Sequence, residues 1–356
     1  MPVMPAVAQR AASAPTAPGL MAASAPRPAW INFPRLTGRL HAADLGLVIN
    51  TADPVSVQIG EHYIIARGLR PEQVLRIEVP VRGALTRDEF ERLRLAIDAN
   101  FGPGVQALAL AWAQPYAVEC NSITGALALG FDAELCKNGC AASRPSRYFN
   151  SASIAPLTDL GWRPSMLLAA RNAEQGKALI DRGVAADGTL AWRGRPPVTA
   201  LLLQTDDAAR GVRRLLYPPA GLLARQGVEV CIEPEAALQT AKRVLMVSTG
   251  SVRMNLAPPP DWVPGGIGDH LTSFGGDLFG NHGQSTVLAW LDSGATGSHG
   301  SVTEPCNHLQ KFPHPQVLLG HYLQGATLIE AYWKSVAWPQ QSLFVGEPLA
   351  APFATR

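Results

Sequence analysis

Leu45-Gly-Leu-Val-Ile-Asn-Thr-Ala-Asp-Pro54 is the stretch that decides the fold of this 356-residue chain. Its first five residues form a short apolar run, which is typical of a buried strand. Asp53-Pro54 then opens a largely apolar segment that stops at Gly68, so a helix is predicted there. A second apolar run at 74–79 predicts the next strand. A strand, a helix and a second strand in this order indicate a parallel sheet covered by helices.

The same alternation continues along the chain. Thr86 and Glu89 fit a capping box, which predicts a helix that runs through Ile97. Further strands are predicted at 105–112, 165–170, 198–204, 228–232 and 243–248, and further helices at 173–183, 206–216, 234–241 and 284–291. We therefore expect one α/β domain over residues 41–356, with a mostly parallel sheet and helices on both faces. A stretch rich in Ser, Asn and Pro interrupts the alternation and predicts a loop-rich insertion around 113–164.

Composition and charge limit the possible classes of function. The chain is 47% hydrophobic and 16% charged, which allows a large core. Its net charge of +2 gives no broad basic surface for nucleic acid, and no apolar run is long enough for an integral membrane segment. Residues 1–40 are rich in Ala and Pro and are expected to be disordered, with a possible weak signal region around Arg10 and residues 22–25.

Five cysteines are too few and too scattered to define a disulfide framework. Cys136 and Cys140 form the one close pair. In an oxidising compartment they could close a small disulfide around Gly139, and otherwise they remain free thiols in a loop. No second Cys or His pair with zinc-finger spacing follows them, so no metal is assigned to these cysteines.

The candidate chemistry lies in the last third of the chain, where six of the eight histidines fall between residues 270 and 321. Two segments rich in small residues, 268–276 and 294–306, carry polar groups and allow a backbone to approach a ligand closely. A predicted helix separates them, so both could open onto the carboxyl edge of the sheet, where open parallel sheets bind ligands. The predicted ligand-binding residues are Thr249, Gly250, Thr272, Gly275, Gly276, His299 and Glu304.

Three interpretations of this region compete. In the first, Cys306 is a thiolate nucleophile and His270 its base, oriented by Asp269 or Glu304. In the second, His270, His282 or His299 binds a metal together with Asp269 or Asp277, although no pair of histidines on one helix face supports this. In the third, Asp269, Thr272 and Ser273 only stabilise turns. Arg210, Arg213 and Arg214 on the predicted helix 206–216 are interpreted as a solvated face.

After residue 40 the chain resembles an uncharacterised bacterial family found in genomes that carry the exosortase protein-sorting system. The resemblance covers about nine-tenths of the chain and implies a role in the cell envelope, without implying a reaction. Its motifs are Leu47-Val-Ile-Asn-Thr-Ala-Asp-Pro54, Tyr63-Ile-Ile-Ala-Arg67, Asn121-Ser-Ile-Thr124, Arg163-Pro-Ser-Met166, Asp181-Arg-Gly183, Asp269-His-Leu-Thr-Ser273, Gly294-Ala-Thr-Gly297, Glu304-Pro-Cys-Asn307, Thr327-Leu-Ile-Glu-Ala-Tyr-Trp333 and Gly346-Glu-Pro-Leu349.

A more distant resemblance is to the caspase/gingipain-like fold of the C25-type peptidases. It rests on the opening strand, on the step from Asp53 to Ser56, and on the closing helix before Gly346-Glu-Pro-Leu349. Those peptidases place a His in the loop after one strand and a Cys after the next. Here the corresponding segments, 247–251 and 271–275, contain neither, so the resemblance implies a fold without the usual Cys/His dyad.

We therefore expect a binding or accessory factor with an unknown protein or peptide partner, acting in envelope protein sorting or with surface polysaccharide. The alternative is a peptidase-like hydrolase that uses Cys306 or Ser273 with His270 and Asp269. No cofactor or metal is assigned, and whether the protein is an enzyme stays open. A periplasmic or secreted location is favoured over a cytoplasmic one.

Overall fold

The computed structural model describes residues 29–192 and 196–355. In the first half of the chain the sequence alternation builds a sheet from buried strands. The strands are β1 (Leu45–Asn50), β2 (Val74–Ile77), β3 (Ala84–Leu85), β4 (Ala107–Leu110), β5 (Ala117–Val118), β6 (Asn121–Ser122) and β7 (Ser165–Leu167). The helices are α1 (Pro54–Arg67), α2 (Arg87–Asn100), α3 (Ile123–Leu129), α4 (Glu134–Lys137), α5 (Pro156–Leu160) and α6 (Ala173–Ala186).

The second half continues the alternation with shorter helices. Its strands are β8 (Val198–Gln204), β9 (Gly221–Leu223), β10 (Val228–Pro234), β11 (Val244–Thr249), β12 (Trp262–His270), β13 (Gly297–Ser301) and β14 (Ser342–Gly346). Its α-helices are α7 (Leu288–Asp292), α8 (Pro315–Leu323) and α9 (Leu328–Ser335). Short 3-10 helices lie at Ala42–Asp44, Pro71–Gln73, Gly211–Leu216, Glu235–Gln239, Leu309–Lys311 and Pro339–Gln341.

Two helix starts show how local sequence sets these boundaries. The Asp53 side chain accepts the Val55 N–H at the start of α1, and Gly68 ends that helix in the left-handed region at φ 64°. The predicted capping box at the start of α2 is present, with Thr86 and Glu89 each accepting the other's backbone N–H. Both helices therefore begin where the sequence predicts.

Among the described residues, the main sheet has 11 strands in the order β2-β1-β4-β7-β14-β13-β12-β11-β8-β10-β9. The strands β2, β1, β4, β7 and β14 pair in parallel and form a first block. The strands β13, β12, β11, β8 and β10 form a second parallel block, with β9 antiparallel at its edge. Because β13 and β14 pair antiparallel, the two blocks point their carboxyl ends to opposite edges of the sheet.

Helices cover both faces of this sheet. On one face, apolar side chains of α1, α6, α8 and α9 pack on alternate strand residues such as Leu47 and Ile49. On the other face, α2, α3 and α7 pack on the intervening residues such as Val48 and Leu110. Because successive side chains of a strand point to opposite faces of the sheet, one strand contributes side chains to both cores. The predicted α/β class with a mostly parallel sheet and helices on both faces is confirmed.

Sequence reasoning missed seven of the described strands, namely β3, β5, β6, β9, β12, β13 and β14, and two of them show the physical reason. Gly265, Gly266 and Gly268 suggest a loop, yet they lie in β12, and the segment 294–306 contains β13. At Gly268 a Cβ atom would come within 2.4 Å of the Trp290 ring, and at Gly300 within 2.4 Å of the backbone of 275–276. Glycine is therefore present because neighbouring groups fill the space, rather than because the chain turns.

Two predicted helices need correction. The helix predicted at 234–241 is a 3-10 helix over Glu235–Gln239. The predicted helix 206–216 is a 3-10 helix over Gly211–Leu216 only, because the Asp207 carboxylate accepts the N–H groups of Ala209 and Arg210 and favours a turn. Residues 29–40 of the segment expected to be disordered are described by the structure, and the Leu40 side chain is buried there and its N–H donates to Glu330. Residues 1–28, with the suggested signal region, lie outside the described residues. Over the described residues, no helix has the length and hydropathy of a membrane span.

Candidate ligand-binding cleft

The two predicted segments do meet, at the carboxyl edge of the second block. The loop that follows β12 and the loop that follows β13 face the turn that precedes the 3-10 helix Gly211–Leu216 and enclose a cleft of about 250 Å³. Carboxyl edges of parallel strands are the usual place for ligand sites in α/β proteins. The cleft is lined by Ala209, Arg210, Leu271, Thr272, Ser273, Glu304, Pro305, Cys306, Asn307 and Phe312.

Disulfide bonding removes the proposed thiolate nucleophile. Cys306 is bonded to Cys140, with Cα atoms 5.2 Å apart, and Cys136 is bonded to Cys120, with Cα atoms 5.1 Å apart. A sulfur held in a disulfide is not a thiolate, so Cys306 cannot act as predicted. Neither alternative for Cys136 and Cys140, a bond to each other or two free thiols, is present, because each of them is bonded to a different cysteine. Cys231 is the free cysteine among the described residues.

His270 is not among the residues that line this cleft, and two hydrogen bonds hold its ring. Its Nδ1 atom accepts a hydrogen bond from Trp290 Nε1 at 3.1 Å, and its Nε2–H donates to the Ser285 carbonyl at 2.9 Å. Both ring nitrogens are therefore occupied in a neutral ring. Burial lowers the pKa of His270 to about 4. The geometry supports a structural histidine that ties β12 to the loop before α7.

Ser273 and Thr272 lie on the floor of the cleft. The Thr272 hydroxyl donates to Gln284 Oε1 at 2.6 Å, and the same oxygen accepts the Phe274 N–H at 3.1 Å. Gln284 thereby fixes the loop, and the half-buried Ser273 hydroxyl makes no hydrogen bond to any histidine within the described ranges. The Ser273–His270 pair of the hydrolase interpretation is not formed.

Arg210 supplies the cation of the cleft. Its guanidinium pairs with Asp207 at 2.8 Å and approaches the Thr272 hydroxyl at 3.5 Å. Three arginines close together in the sequence suggest a solvated face, yet only Arg214 of the three is exposed. Gly250 packs against the Arg210 backbone so closely that a Cβ atom there would come within 2.0 Å of the Arg210 carbonyl oxygen.

The opposite wall of the cleft is the loop after β13. The exposed Glu304 carboxylate accepts the Cys306 N–H at 2.8 Å, and Cys306 and Asn307 have φ angles of 58° and 53°. This region is uncommon for residues other than glycine, so the disulfide and the Glu304 bond hold an unusual backbone. Lys311 lies buried behind the wall and donates to the Gly139 carbonyl, and burial lowers its pKa to about 8.

The remaining predicted residues have mainly packing roles. Thr249 ends β11 and lines a second cleft of about 250 Å³, where Glu235 and Arg253 also lie. Gly275 and Gly276 pack on the backbone of Gly300, and the Gly276 N–H donates to Ser301. These contacts hold the loop after β12 against β13 and so shape the main cleft.

Asp269 and His299 lie beneath the cleft and are buried. Arg213 donates from Nη1 to Asp269 Oδ1 at 2.6 Å and from Nη2 to the Thr249 carbonyl at 2.8 Å. Burial raises the pKa of Asp269, which Arg213 opposes, and burial lowers the pKa of His299 well below its usual value. His299 lies between the rings of Phe312 and Phe344.

The metal interpretation finds no support in the geometry. His282 Nε2 lies 2.6 Å from Asp277 Oδ2, and the other oxygen of that carboxylate accepts the hydroxyl of Tyr116. His270 and His299 are held elsewhere, in separate contacts. No cluster of three or more His, Cys, Asp or Glu side chains suited to a metal ion occurs in the described part of the chain.

Comparison with known proteins gives a structural likeness only. Two solved structures are similar to this chain, and both contain gingipain R (RgpB), an Arg-specific cysteine proteinase. The crystal structure of that proteinase has a TM-score of 0.38 and 10% identity, and the match covers 87% of this chain and 78% of the other. The complex of the pro- and mature domains from Porphyromonas gingivalis has a TM-score of 0.41 and 11% identity, over 88% and 80%. No family model matches, and no curated protein matches by sequence.

Sequence reasoning missed several residues of the cleft. Phe312 carries no motif signal, Asn307 was noted only as the last residue of the motif Glu304-Pro-Cys-Asn307, and the buried position of Arg213 contradicts its interpretation as solvated. Arg213 and Asp269 are 56 residues apart in the chain, so no local sequence pattern indicates that they pair. The one usable signal was the position of Leu271 to Ser273 directly after a strand, and it required β12 to be recognised as a strand.

Proposed function

We propose that this protein binds a peptide segment of a partner in the cleft between the loops after β12 and β13, without cleaving it. The observation that carries the proposal is the state of the two candidate catalytic groups. Cys306 is held in a disulfide and both ring nitrogens of His270 are occupied. What remains in the cleft is a set of binding groups.

These groups suit an extended polar chain. Arg210 and Glu304 offer opposite charges on facing walls, and Ser273 and Asn307 offer neutral donors and acceptors. Peptide backbones present both hydrogen-bond donors and acceptors, and peptide termini present both charges. A peptide therefore matches these groups better than a purely anionic or purely apolar ligand does.

The cellular setting that we propose is an oxidising one, in envelope protein sorting or surface-polysaccharide biology. Four of the five cysteines are paired in disulfides, and such bonds persist in periplasmic or extracellular compartments. The assignment to envelope protein sorting rests on the family resemblance. This setting can be tested by isolating the protein from cells without reductant, with thiols blocked at lysis. Free thiols at Cys120, Cys136, Cys140 and Cys306 would contradict it.

The test combines binding and turnover on one set of peptides. An array of immobilised decapeptides identifies a binding sequence, and the free fluorescent peptide is then titrated and incubated with the protein. We expect saturable binding and an intact peptide. Replacement of Arg210 by Ala should weaken binding about tenfold or more, because a charged hydrogen bond contributes roughly 1.5–3 kcal/mol.

Arg214→Ala is the matched control, since Arg214 is exposed and lies outside the cleft. It should bind as the wild-type protein does. Cleavage of the peptide by wild-type protein, abolished in Cys306→Ala or Ser273→Ala, would overturn the proposal in favour of a hydrolase. Equal affinity of the Arg210→Ala and wild-type proteins would remove the cleft as the binding site.

A further inference from the structure

Beneath the cleft, buried polar side chains line up across the strands of the second block. Ser248 on β11 is in register with Asp269 on β12. Ile267 of β12 is in register with Gly297 of β13, so two residues further on Asp269 lies opposite His299. Side chains in register across paired strands project from the same face of the sheet. Ser248, Asp269 and His299 therefore form a row one strand spacing apart.

Arg213 and Tyr332 complete this group, which we call the inner polar row. Arg213 pairs with Asp269, and Tyr332 of α9 interacts electrostatically with both groups of that pair. All five side chains are almost fully buried. Six of their polar atoms lack a hydrogen-bond partner among the described residues, namely Ser248 Oγ, Asp269 Oδ2, Arg213 Nε, Tyr332 OH and the two ring nitrogens of His299.

Such a concentration of unpartnered polar atoms is unusual. Buried polar groups in native proteins are nearly always hydrogen-bonded, and each exception calls for an explanation such as a bound water, an ion or a functional role. Phe312 links the row to the cleft within the described part of the chain. It lines the cleft, its ring centroid lies 6.1 Å from that of His299, and the Arg213 guanidinium carbon lies 6.0 Å from its centroid.

We propose that the inner polar row is an inner subsite of the cleft that takes a neutral carboxamide, such as an Asn or Gln side chain of a bound peptide, when the Phe312 ring turns aside. The inference rests on the proposed function, because the cleft is the route of entry. Phe312 acts as the gate between the two.

The free atoms match a carboxamide. Arg213 Nε–H and the Ser248 hydroxyl can donate to the two lone pairs of a carbonyl oxygen, while Asp269 Oδ2 and the Tyr332 hydroxyl oxygen can accept from an NH₂ group. A neutral His299 adds one donor and one acceptor. A charged ligand is disfavoured, because Arg213 and Asp269 already neutralise each other and a further buried charge has no counterion.

The test uses acetamide as the probe in solution, with acetate and methylammonium as charged analogues of similar size. The ¹⁵N shifts of the His299 ring in full-length protein report occupancy. Acetamide is expected to shift them saturably, and acetate and methylammonium are expected to leave them unchanged. Phe312→Ala should tighten acetamide binding at least threefold by removing the gate. If the Ala variant does not fold, Phe312→Leu provides the same comparison.

Two further variants make the outcome specific. Ser248→Ala should weaken acetamide binding at least threefold, whereas Phe279→Ala, at an exposed phenylalanine outside the row, should bind as wild type does. The inner subsite would be overturned if acetamide caused no saturable shift in either the wild-type or the Phe312→Ala protein. It would also be overturned if acetate caused equal shifts, or if Ser248→Ala bound acetamide as tightly as the wild-type protein. Peptide binding that depends on Arg210 would survive that outcome, so failure of the subsite and failure of the proposed function are distinguishable.

Discussion

At the scale of single residues, the cleft is shaped by close contacts that tolerate no added atom. Gly250 follows β11 and packs against the backbone at Arg210, the residue that carries the positive charge of the cleft. A backbone carbonyl cannot move away as the end of a flexible side chain can. The position of Arg210 therefore depends on the absence of a side chain at residue 250.

Gly250→Ala should lower the free energy of unfolding by about 1–3 kcal/mol, since overpacking forces the backbone apart. It should also weaken peptide binding in the cleft, because Arg210 moves. Urea denaturation and peptide titration measure the two effects. Gly102→Ala is the control, because a Cβ atom at Gly102 meets open space. A Gly250→Ala protein as stable as the Gly102→Ala protein would contradict the close contact.

At the scale of elements, one disulfide lies within the segment 113–164, predicted as an insertion, and a second joins that segment to the rest of the fold. Cys120–Cys136 closes a loop within the insertion, with a sequence separation of 16. Cys140–Cys306 joins the insertion to the wall of the cleft across a separation of 166. In the chain-entropy account, the longer loop restricts the unfolded state more.

Removal of the long-range disulfide should therefore cost more stability than removal of the short one. The chain-entropy limits are about 5 kcal/mol for Cys140→Ala with Cys306→Ala and about 3 kcal/mol for Cys120→Ala with Cys136→Ala. Denaturant unfolding of both double variants measures the difference, and Cys231→Ser is the control with a free thiol. An unchanged midpoint in the Cys140/Cys306 variant would contradict a structural role for that bond.

At the scale of the whole molecule, several histidines are buried in the neutral form. Burial lowers the pKa of His270 to about 4 and the pKa of His321 to about 3, and it lowers the pKa values of His299 and His314 as well. The ordinary pKa is about 6.5, so between pH 6.5 and 4 the unfolded state binds more protons than the native state. Stability is therefore lost as the pH falls.

For His270 alone, the loss between pH 6.5 and 4 is on the order of 3 kcal/mol. Urea denaturation at pH 7.5, 6 and 5 should show the free energy of unfolding falling with pH. His270→Gln keeps a donor and an acceptor but does not titrate, so its pH dependence should be shallower. The same slope in both proteins would mean that His270 is not buried in the neutral form.

The overall sheet could be predicted from the sequence because its strands are encoded locally. Leu45 to Ile49 is apolar throughout, and Asp53 with Pro54 marks the start of α1. The strands β12 and β13 could not be predicted, since glycine has a low strand propensity and is present at 268 and 300 because distant groups pack closely against the backbone there.

The sequence indicated where the two segments of the candidate site would meet, but it did not indicate the contacts that their residues make. The segments 268–276 and 294–306, separated by a predicted helix, were expected to open onto one edge of the sheet, and residues of both line the cleft there. The pairing of Cys306 with Cys140 and the burial of Arg213 against Asp269 depend on residues that are far apart in the chain. A single sequence carries no signal for such pairs, which the fold alone brings together.

The most direct test of the central claim is to alkylate the native, unreduced protein and map its peptides by mass spectrometry. The claim is that the cleft binds without a thiolate nucleophile, because its cysteine is held in the Cys140–Cys306 disulfide. We predict that only Cys231 is alkylated, and that Cys306 is recovered in a peptide linked to Cys140. Rapid alkylation of Cys306 at neutral pH would show a free, reactive thiol in the cleft and contradict the account.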